Sequence, residues 1–156
     1  MSKKILILEA CGTVDEPHEC NGLCEQAQLY GIEHVCKCIR NNDELAMTLA
    51  SNGRFDYIYL SAHGHSEGFA SEDGCVDMSW RYLASLLCAS DCMNDESVLM
   101  LSCCRGGLMD IAYNMFLTCS HICYVLGPRQ SLTSADMHIC FGIFLYNMEI
   151  RGVDPV

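Results

Sequence analysis

Short apolar segments alternate along this chain with segments of helical periodicity, and this alternation constrains the fold more than any other feature. Five segments are predicted strands: 4–9, 33–40, 55–61, 97–102 and 122–126. The first predicted helix follows an acidic stretch and ends near Gly31. Four more helices are predicted near 43–51, 80–88, 108–116 and 134–148. Strands that are apolar on both faces belong to sheets covered on both sides. The sequence therefore predicts a three-layer α/β sandwich, a mainly parallel sheet with helices on both faces.

The whole chain, 1–156, is expected to form one domain. It has 156 residues, of which 51% are hydrophobic and 19% charged, a composition typical of globular proteins. We find no repeat, linker or low-complexity segment, and no apolar run long enough to span a membrane. The first apolar run, 5–8, ends at Glu9 and is too short for a signal peptide, so we expect a cytoplasmic protein with no membrane partner.

The thirteen cysteines are interpreted as reduced thiols rather than as a disulfide framework. Their number is odd, and a core of this size needs no covalent staples. Cysteine behaves as a small hydrophobic residue when it packs inside a protein. Packing is accordingly predicted for the cysteines within apolar periodic segments, which are Cys36, Cys38, Cys103, Cys123 and Cys140.

The formal net charge of −11 argues against a nucleic-acid partner. Lysine and arginine are scarce and scattered, so no basic stripe is available to meet phosphates. The acidic surface is interpreted as solubilising. No motif in the chain calls for a cofactor.

Two predicted strand ends carry reactive side chains beside glycine. The third strand leads into Ala62-His63-Gly64-His65, and the fourth leads into Cys103-Cys104-Arg105-Gly106. Ligands bind at the carboxyl ends of strands in open parallel sheets. A thiol becomes a good nucleophile beside a base or a positive group, and glycines leave backbone N–H groups free for a developing oxyanion. The amides of Gly64 and Cys104 are the expected oxyanion donors, with Arg105 adding positive potential.

These motifs resemble the caspase-like cysteine peptidases, and most closely their bacterial CHAT branch. Ser102-Cys103-Cys104-Arg105-Gly106 stands where caspases carry Gln-Ala-Cys-Arg-Gly, and His63-Gly64 matches the family's His-Gly. The two motifs lie roughly forty residues apart, which fits a compact member of a family whose usual separation is roughly fifty. The segment 126–129 before the last helix is similar to the one that closes CHAT domains. The resemblance implies a cysteine endopeptidase, a hydrolase, with Cys104 as nucleophile and His63 as its partner.

The same alignment selects between neighbouring residues. Cys104 directly precedes Arg-Gly, so Cys103 is expected to point the other way and pack, and His65 is expected in a loop or pocket. Caspases and metacaspases carry glutamine or aspartate where this chain has Ser102, so neither substrate preference carries over. Ser102 and Arg129 are the predicted substrate contacts, Arg129 because it follows the fifth strand.

The resemblance also implies a setting. Small bacterial proteases of this kind are often switched on by a protein partner in antiviral defence or cell death, and they cut a protein substrate. No long linker separates the fourth and fifth strands, so activation by internal cleavage is not suggested. The acidic loop 65–77 is a candidate wall of the substrate pocket.

Two other interpretations stay open. The first is a catalytically silent interaction module on the same scaffold. The second is a zinc-binding domain that uses His63, His65, Cys103 and Cys104. Adjacent cysteines on a strand point to opposite faces, which disfavours a shared ion. A further group, His18, Cys20 and Cys24, lacks the paired spacing of a structural zinc site.

Overall fold

The strands form one large parallel sheet and one small antiparallel sheet. The computed structural model describes residues 2–155. The strands are β1 Lys4–Glu9, β2 Glu33–Cys38, β3 Phe55–Ser61, β4 His63–Gly64, β5 Gly68–Ala70, β6 Asp77–Ser79, β7 Met93–Ser102 and β8 Ile122–Leu126. The helices are α1 Glu16–Leu29, α2 Asn42–Ser51, α3 Trp80–Ala89, α4 Met109–Thr118 and α5 Ser134–Glu149. The large sheet has the order β2-β1-β3-β7-β8 with parallel pairing throughout, and β4-β5-β6 form the small sheet.

Helices cover both faces of the large sheet. Successive strand residues point to opposite sides, so Ile5 and Ile7 pack under α1 and α5, while Leu6 and Leu8 pack under α2, α3 and α4. Each face buries its own hydrophobic cluster. The predicted three-layer α/β sandwich with a mainly parallel sheet is therefore confirmed.

The packing predicted for the cysteines is right for Cys103 and wrong for three others. Cys103 is fully buried, whereas Cys38, Cys123 and Cys140 are exposed and Cys36 is partly buried. The exposed positions share a cause, because β2 and β8 are the two edge strands and Cys140 lies on the outer face of α5. None of the thirteen cysteines forms a disulfide bond.

Residues 62–77, predicted as an irregular loop, contain most of the small sheet. β4 follows β3 after one residue, β5 pairs with β4, and β6 leads directly into α3. β7 also begins earlier than predicted, at Met93, which pairs with Phe55 across a register shift. Residues 94–96 at the start of β7 are polar, so an apolar pattern does not detect this part of the strand.

Side chains cap the starts of two helices. The Asn41 side chain accepts a hydrogen bond from the Glu44 N–H at 2.8 Å, which caps α2. Thr133 and Asp136 form a reciprocal capping box at the start of α5. Over residues 2–155, no helix is both long enough and apolar enough to cross a membrane.

The strand order reverses direction next to β1. The chain places β2 on one side of β1 and β3, followed by β7 and β8, on the other. Ligands in open α/β sheets bind at such a switch point, outside the carboxyl ends of the strands. Cys11, His63 and Cys104 follow the ends of β1, β3 and β7, so all three lie at this edge.

Candidate active site

His63 and Cys104 line one cavity at the carboxyl edge of the sheet. The cavity has a volume of about 120 Å³. Its lining comes from the segments after β1, from the ends of β3 and β7, and from the start of α5. Ser61 pairs with Ser102 in the parallel ladder, so both chains leave the sheet at the same level. The structure thus brings together the two side chains that the motifs singled out.

Gly64 lies directly against the backbone of Cys104. A Cβ atom at position 64 would stand 2.1 Å from the Cys104 carbonyl oxygen and 2.9 Å from its nitrogen. Real side chains do not approach a backbone so closely, so only glycine fits here. The glycine beside His63 is the residue that lets the two strand ends meet.

The Gly64 amide points away from the small sheet. The His65 N–H donates to the Gly68 carbonyl at 2.9 Å, and β4 pairs antiparallel with β5. Because hydrogen-bonded and non-hydrogen-bonded pairs alternate in an antiparallel ladder, Gly64 and Phe69 form a non-hydrogen-bonded pair. The Cys104 N–H likewise has no acceptor among residues 2–155. Both predicted oxyanion donors are therefore present as uncommitted amides.

A tight turn presents Cys104. Arg105 has a φ of 61°, a left-handed conformation that a side chain adopts only at a cost of about 1–2 kcal/mol. The Gly106 N–H donates to the Cys103 carbonyl at 2.9 Å and closes the turn. Gly107 packs so closely on Gly127 that an added Cβ would lie 1.9 Å from the Gly127 carbonyl oxygen. Cys104 is left partly exposed at the tip of the turn.

The imidazole of His63 contacts a carboxylate. Its Nε2 meets the side chain of Glu72, and the Glu72 N–H donates in turn to the Cys11 carbonyl at 2.7 Å. A carboxylate on one ring nitrogen fixes the orientation of the imidazole. The sequence indicated Glu72 only as one of several loop acids.

Cys104 differs from the other two thiols at this edge of the sheet. The Cys103 thiol is fully buried, donates to the Leu60 carbonyl at 3.6 Å, and has its pKa raised well above the usual value by burial. Cys11 also lines the cavity, but burial raises its pKa to about 11, so it stays a protonated thiol near neutral pH. Cys104 alone of the three combines partial exposure with a place in the cavity.

Glu19 is a cavity residue that the sequence interpretation missed. It is only 7% exposed, and its Oε1 accepts hydrogen bonds from the hydroxyls of Tyr59 and Ser102. Burial raises the pKa of the Tyr59 phenol well above its usual value, so the phenol stays a donor. The sequence did contain a signal for the burial of Glu19. The buried residues of α1 recur at helical spacing, and glutamates are among them: Glu16, Glu19, Cys20, Leu23 and Ala27.

A second buried carboxylate anchors the end of β1. Glu16 accepts from the Cys11 N–H at 2.7 Å and from the Gly12 N–H at 3.0 Å. Burial raises its pKa, although these hydrogen bonds act in the opposite direction. Glu16 therefore holds the segment that carries Cys11 against α1.

The remaining predicted contacts are placed differently. Ser102 lines the cavity with its hydroxyl turned to Glu19, whereas Arg129 is exposed and does not line it. No residue between 65 and 77 lines this cavity, so the predicted loop wall is not part of it. That segment forms β5 and leads into β6, and its Glu72 contacts His63 without lining the cavity. Within residues 2–155, no three histidine, cysteine or acidic side chains are grouped so that they could hold a metal ion.

Comparisons with known proteins do not assign the chain to a family. No protein-family model matches it. No curated protein matches it either. A similar solved structure is a fusion protein that contains the yeast Spc42 trimeric coiled coil, amino acids 181–211. The identity is 12%, the match covers 98% of this chain and 87% of that chain, and the TM-score is 0.48.

Proposed function

We propose that this chain is a cysteine endopeptidase in which Cys104 is the nucleophile and His63 its acid–base partner. One observation carries the proposal. The two side chains line the same cavity of about 120 Å³ at the carboxyl edge of the sheet, next to its switch point. The fit of Gly64 against the Cys104 backbone supports it, because that contact brings the two strand ends together.

The reaction divides into acylation and deacylation. The Cys104 sulfur, its proton transferred to His63, attacks the peptide carbonyl carbon and forms a C–S bond. The tetrahedral intermediate collapses, the C–N bond breaks, and the leaving amine takes the proton from His63. Water gives a proton to His63 and attacks the thioester carbonyl carbon. The C–S bond then breaks, the new carboxyl terminus leaves, and His63 returns its proton to the Cys104 thiolate.

The two uncommitted amides support this chemistry. The N–H groups of Gly64 and Cys104 are the proposed donors to the oxyanion of each tetrahedral intermediate. Fixed donors aimed at developing charge stabilise a transition state strongly, and removing one costs about 10²–10³ in rate in other hydrolases. We assign Glu72 as a positioning residue, since it touches the imidazole of His63 and not the reacting atoms.

The proposed setting follows from the resemblance to small bacterial caspase-like proteases. The substrate is a protein, and a regulatory protein partner in a defence or cell-death system switches the enzyme on. The proposed location is the cytoplasm, where thirteen unpaired cysteines stay reduced. Neither a nucleic acid nor a membrane is a proposed partner.

A catalytically silent interaction module is the second candidate, and the surface of α4 favours it. Met109, Tyr113 and Leu117 are 74%, 64% and 67% exposed on that helix. Contiguous exposed apolar side chains are typical of protein–protein interfaces. The same surface suits the regulatory partner of an active enzyme, so only chemistry at Cys104 separates the two candidates.

Thiol labelling tests the proposal. We expect an electrophilic peptide inhibitor to modify Cys104 at least tenfold faster than any other cysteine, and His63→Ala to remove that advantage. Peptide mapping by mass spectrometry gives the rate for each cysteine. His65→Ala is the matched control, since His65 is exposed and does not line the cavity. Equal labelling of several exposed cysteines would favour the silent module.

A further inference from the structure

The cavity shared by His63 and Cys104 contains a buried carboxylate without a cationic partner. Glu19 is 7% exposed, and no salt bridge to it is present among the described residues. No lysine or arginine lines the cavity. Carboxylates this deeply buried are normally paired with a cation, because desolvating a charge is costly.

The hydrogen bonds of Glu19 fall on one oxygen. The hydroxyls of Tyr59 and Ser102 both donate to Oε1, which fills its two lone-pair directions. Oε2 accepts no hydrogen bond from residues 2–155. It is also not fully buried, because the fully buried side-chain polar atoms without a partner among these residues are Gln26 Oε1 and His138 Nδ1. Oε2 is therefore an open acceptor, held in place by the bonds to its neighbour, on a residue that lines the cavity.

Space continues beyond Glu19. A second cavity of about 400 Å³ lies between the starts of α1 and α5, and both cavities are lined by Glu19 and Ser134. Asp15, His18 and His138 also line the second cavity, and no lysine or arginine does. A long side chain that enters beside Cys104 thus meets the carboxylate of Glu19 with no permanently charged cation among the residues that line either cavity.

We infer that Glu19 selects substrates with lysine or arginine at the residue that contributes the scissile carbonyl. The inference rests on the proposed function, because it places that residue's side chain in the cavity beside Cys104. A cationic side chain would donate to Glu19 Oε2 and supply the missing counter-charge. Hydrogen bonds to an ionised partner are about twice as strong as neutral ones. Ser102 contributes indirectly, since its hydroxyl holds Glu19.

The test uses peptide inhibitors with one electrophile and one sequence, varied only in the side chain next to the electrophile. Lysine, arginine, glutamine and glutamate are compared. We expect Cys104 to be labelled at least tenfold faster with lysine or arginine than with glutamine, and slowest with glutamate. In Glu19→Gln, the labelling rate with the lysine or arginine reagent divided by the rate with the glutamine reagent should fall to about one. A general loss of folding lowers all rates together and leaves this ratio unchanged.

Glu25→Gln is the matched control. It removes an exposed carboxylate from α1, and Glu25 does not line the cavity, so the ratio should stay at the wild-type value. Selective labelling of Cys104 at equal rates by all four reagents would overturn the inference and leave the nucleophile in place. Unselective labelling of several cysteines by every reagent would overturn the proposed function, and the inference with it.

Discussion

At the residue scale, single glycines decide whether the site can form. Sequence motifs pointed to His63, Gly64 and Cys104, and the apolar strands before them predicted that they lie at one edge of a sheet. The close approach of Gly64 to the Cys104 backbone was not readable from the sequence. It depends on the register of β3 against β7, which is set by pairing over the whole ladder.

Gly64→Ala is expected to disrupt the site. The new methyl group would lie 2.1 Å from the Cys104 carbonyl oxygen, so one strand end must move. Overpacking of this kind costs about 1–3 kcal/mol in the free energy of unfolding, and we expect labelling of Cys104 to slow at least tenfold. Urea denaturation and the labelling assay measure the two effects.

Gly53→Ala is the control for that substitution. Gly53 has a positive φ, so alanine costs about 1–2 kcal/mol there, but no atom lies within 4 Å of the added Cβ. We expect Gly53→Ala to lose stability and keep the wild-type labelling rate. If Gly64→Ala also keeps that rate, the contact of Gly64 with the Cys104 backbone does not determine the reactivity of the Cys104 thiol.

At the scale of elements, the start of α5 forms part of the cavity wall. Leu132, Ser134 and Met137 line the cavity, and the capping box of Thr133 and Asp136 determines where the helix begins. This cap was predictable, because the threonine and the acid stand three positions apart before an apolar periodic segment. That the helix lines the cavity of His63 and Cys104 was not predictable, since it is far from both motifs in sequence.

Thr133→Ala should destabilise the protein by about 1 kcal/mol at pH 7, the usual cost of losing an N-cap side chain. Hydrogen bonds from Thr133 lower the pKa of Asp136. A group with a lowered folded-state pKa contributes stability above its unfolded pKa, and that contribution is lost as pH falls through the folded pKa. The difference between wild type and variant should therefore shrink below about pH 4.

Thermal or urea unfolding at pH 7 and pH 3 measures this difference. Thr118→Ala serves as the control, since Thr118 is an exposed threonine at the end of α4 and makes no capping bond. It should match the wild type within about 0.5 kcal/mol at both pH values. A Thr133→Ala deficit that is the same at both pH values would show that Asp136 takes no part in it.

At the scale of the whole molecule, buried thiols couple folding to alkaline pH. Burial raises the pKa of Cys11 to about 11 and that of Cys92 to about 12, and it raises those of Cys20, Cys36 and Cys103 further. Thiols of an unfolded chain ionise near pH 8.5. The stability linked to each buried thiol is complete below that value and is lost as pH rises toward the folded-state pKa.

We expect the free energy of unfolding to fall steeply above about pH 8.5. Each thiol that stays protonated only in the folded state contributes a slope of about 1.4 kcal/mol per pH unit. Urea denaturation between pH 7 and pH 10.5 under reducing conditions measures it. Cys92→Ala should have a shallower slope than Cys123→Ala, which removes an exposed thiol. A stability that does not change between pH 8 and pH 10.5 would contradict this account.

The sequence by itself determined the class of fold and the strand ends where chemistry is to be sought. Apolar runs and helical spacing are local patterns, and they predicted β1, β3 and β8 with their observed bounds. The same patterns gave the wrong burial for Cys38 and Cys123, which are exposed on the edge strands β2 and β8, because sheet order is not encoded in a local pattern.

Only the tertiary structure decided what surrounds His63 and Cys104. Glu19 comes from α1 and Glu72 from the segment between β5 and β6, and neither stands near a motif that marks it. Their roles depend on which side chains meet after the helices pack on the sheet. The physical reason is that burial and electrostatic pairing depend on neighbours distant in sequence, whereas strand and helix patterns depend on neighbours along the chain.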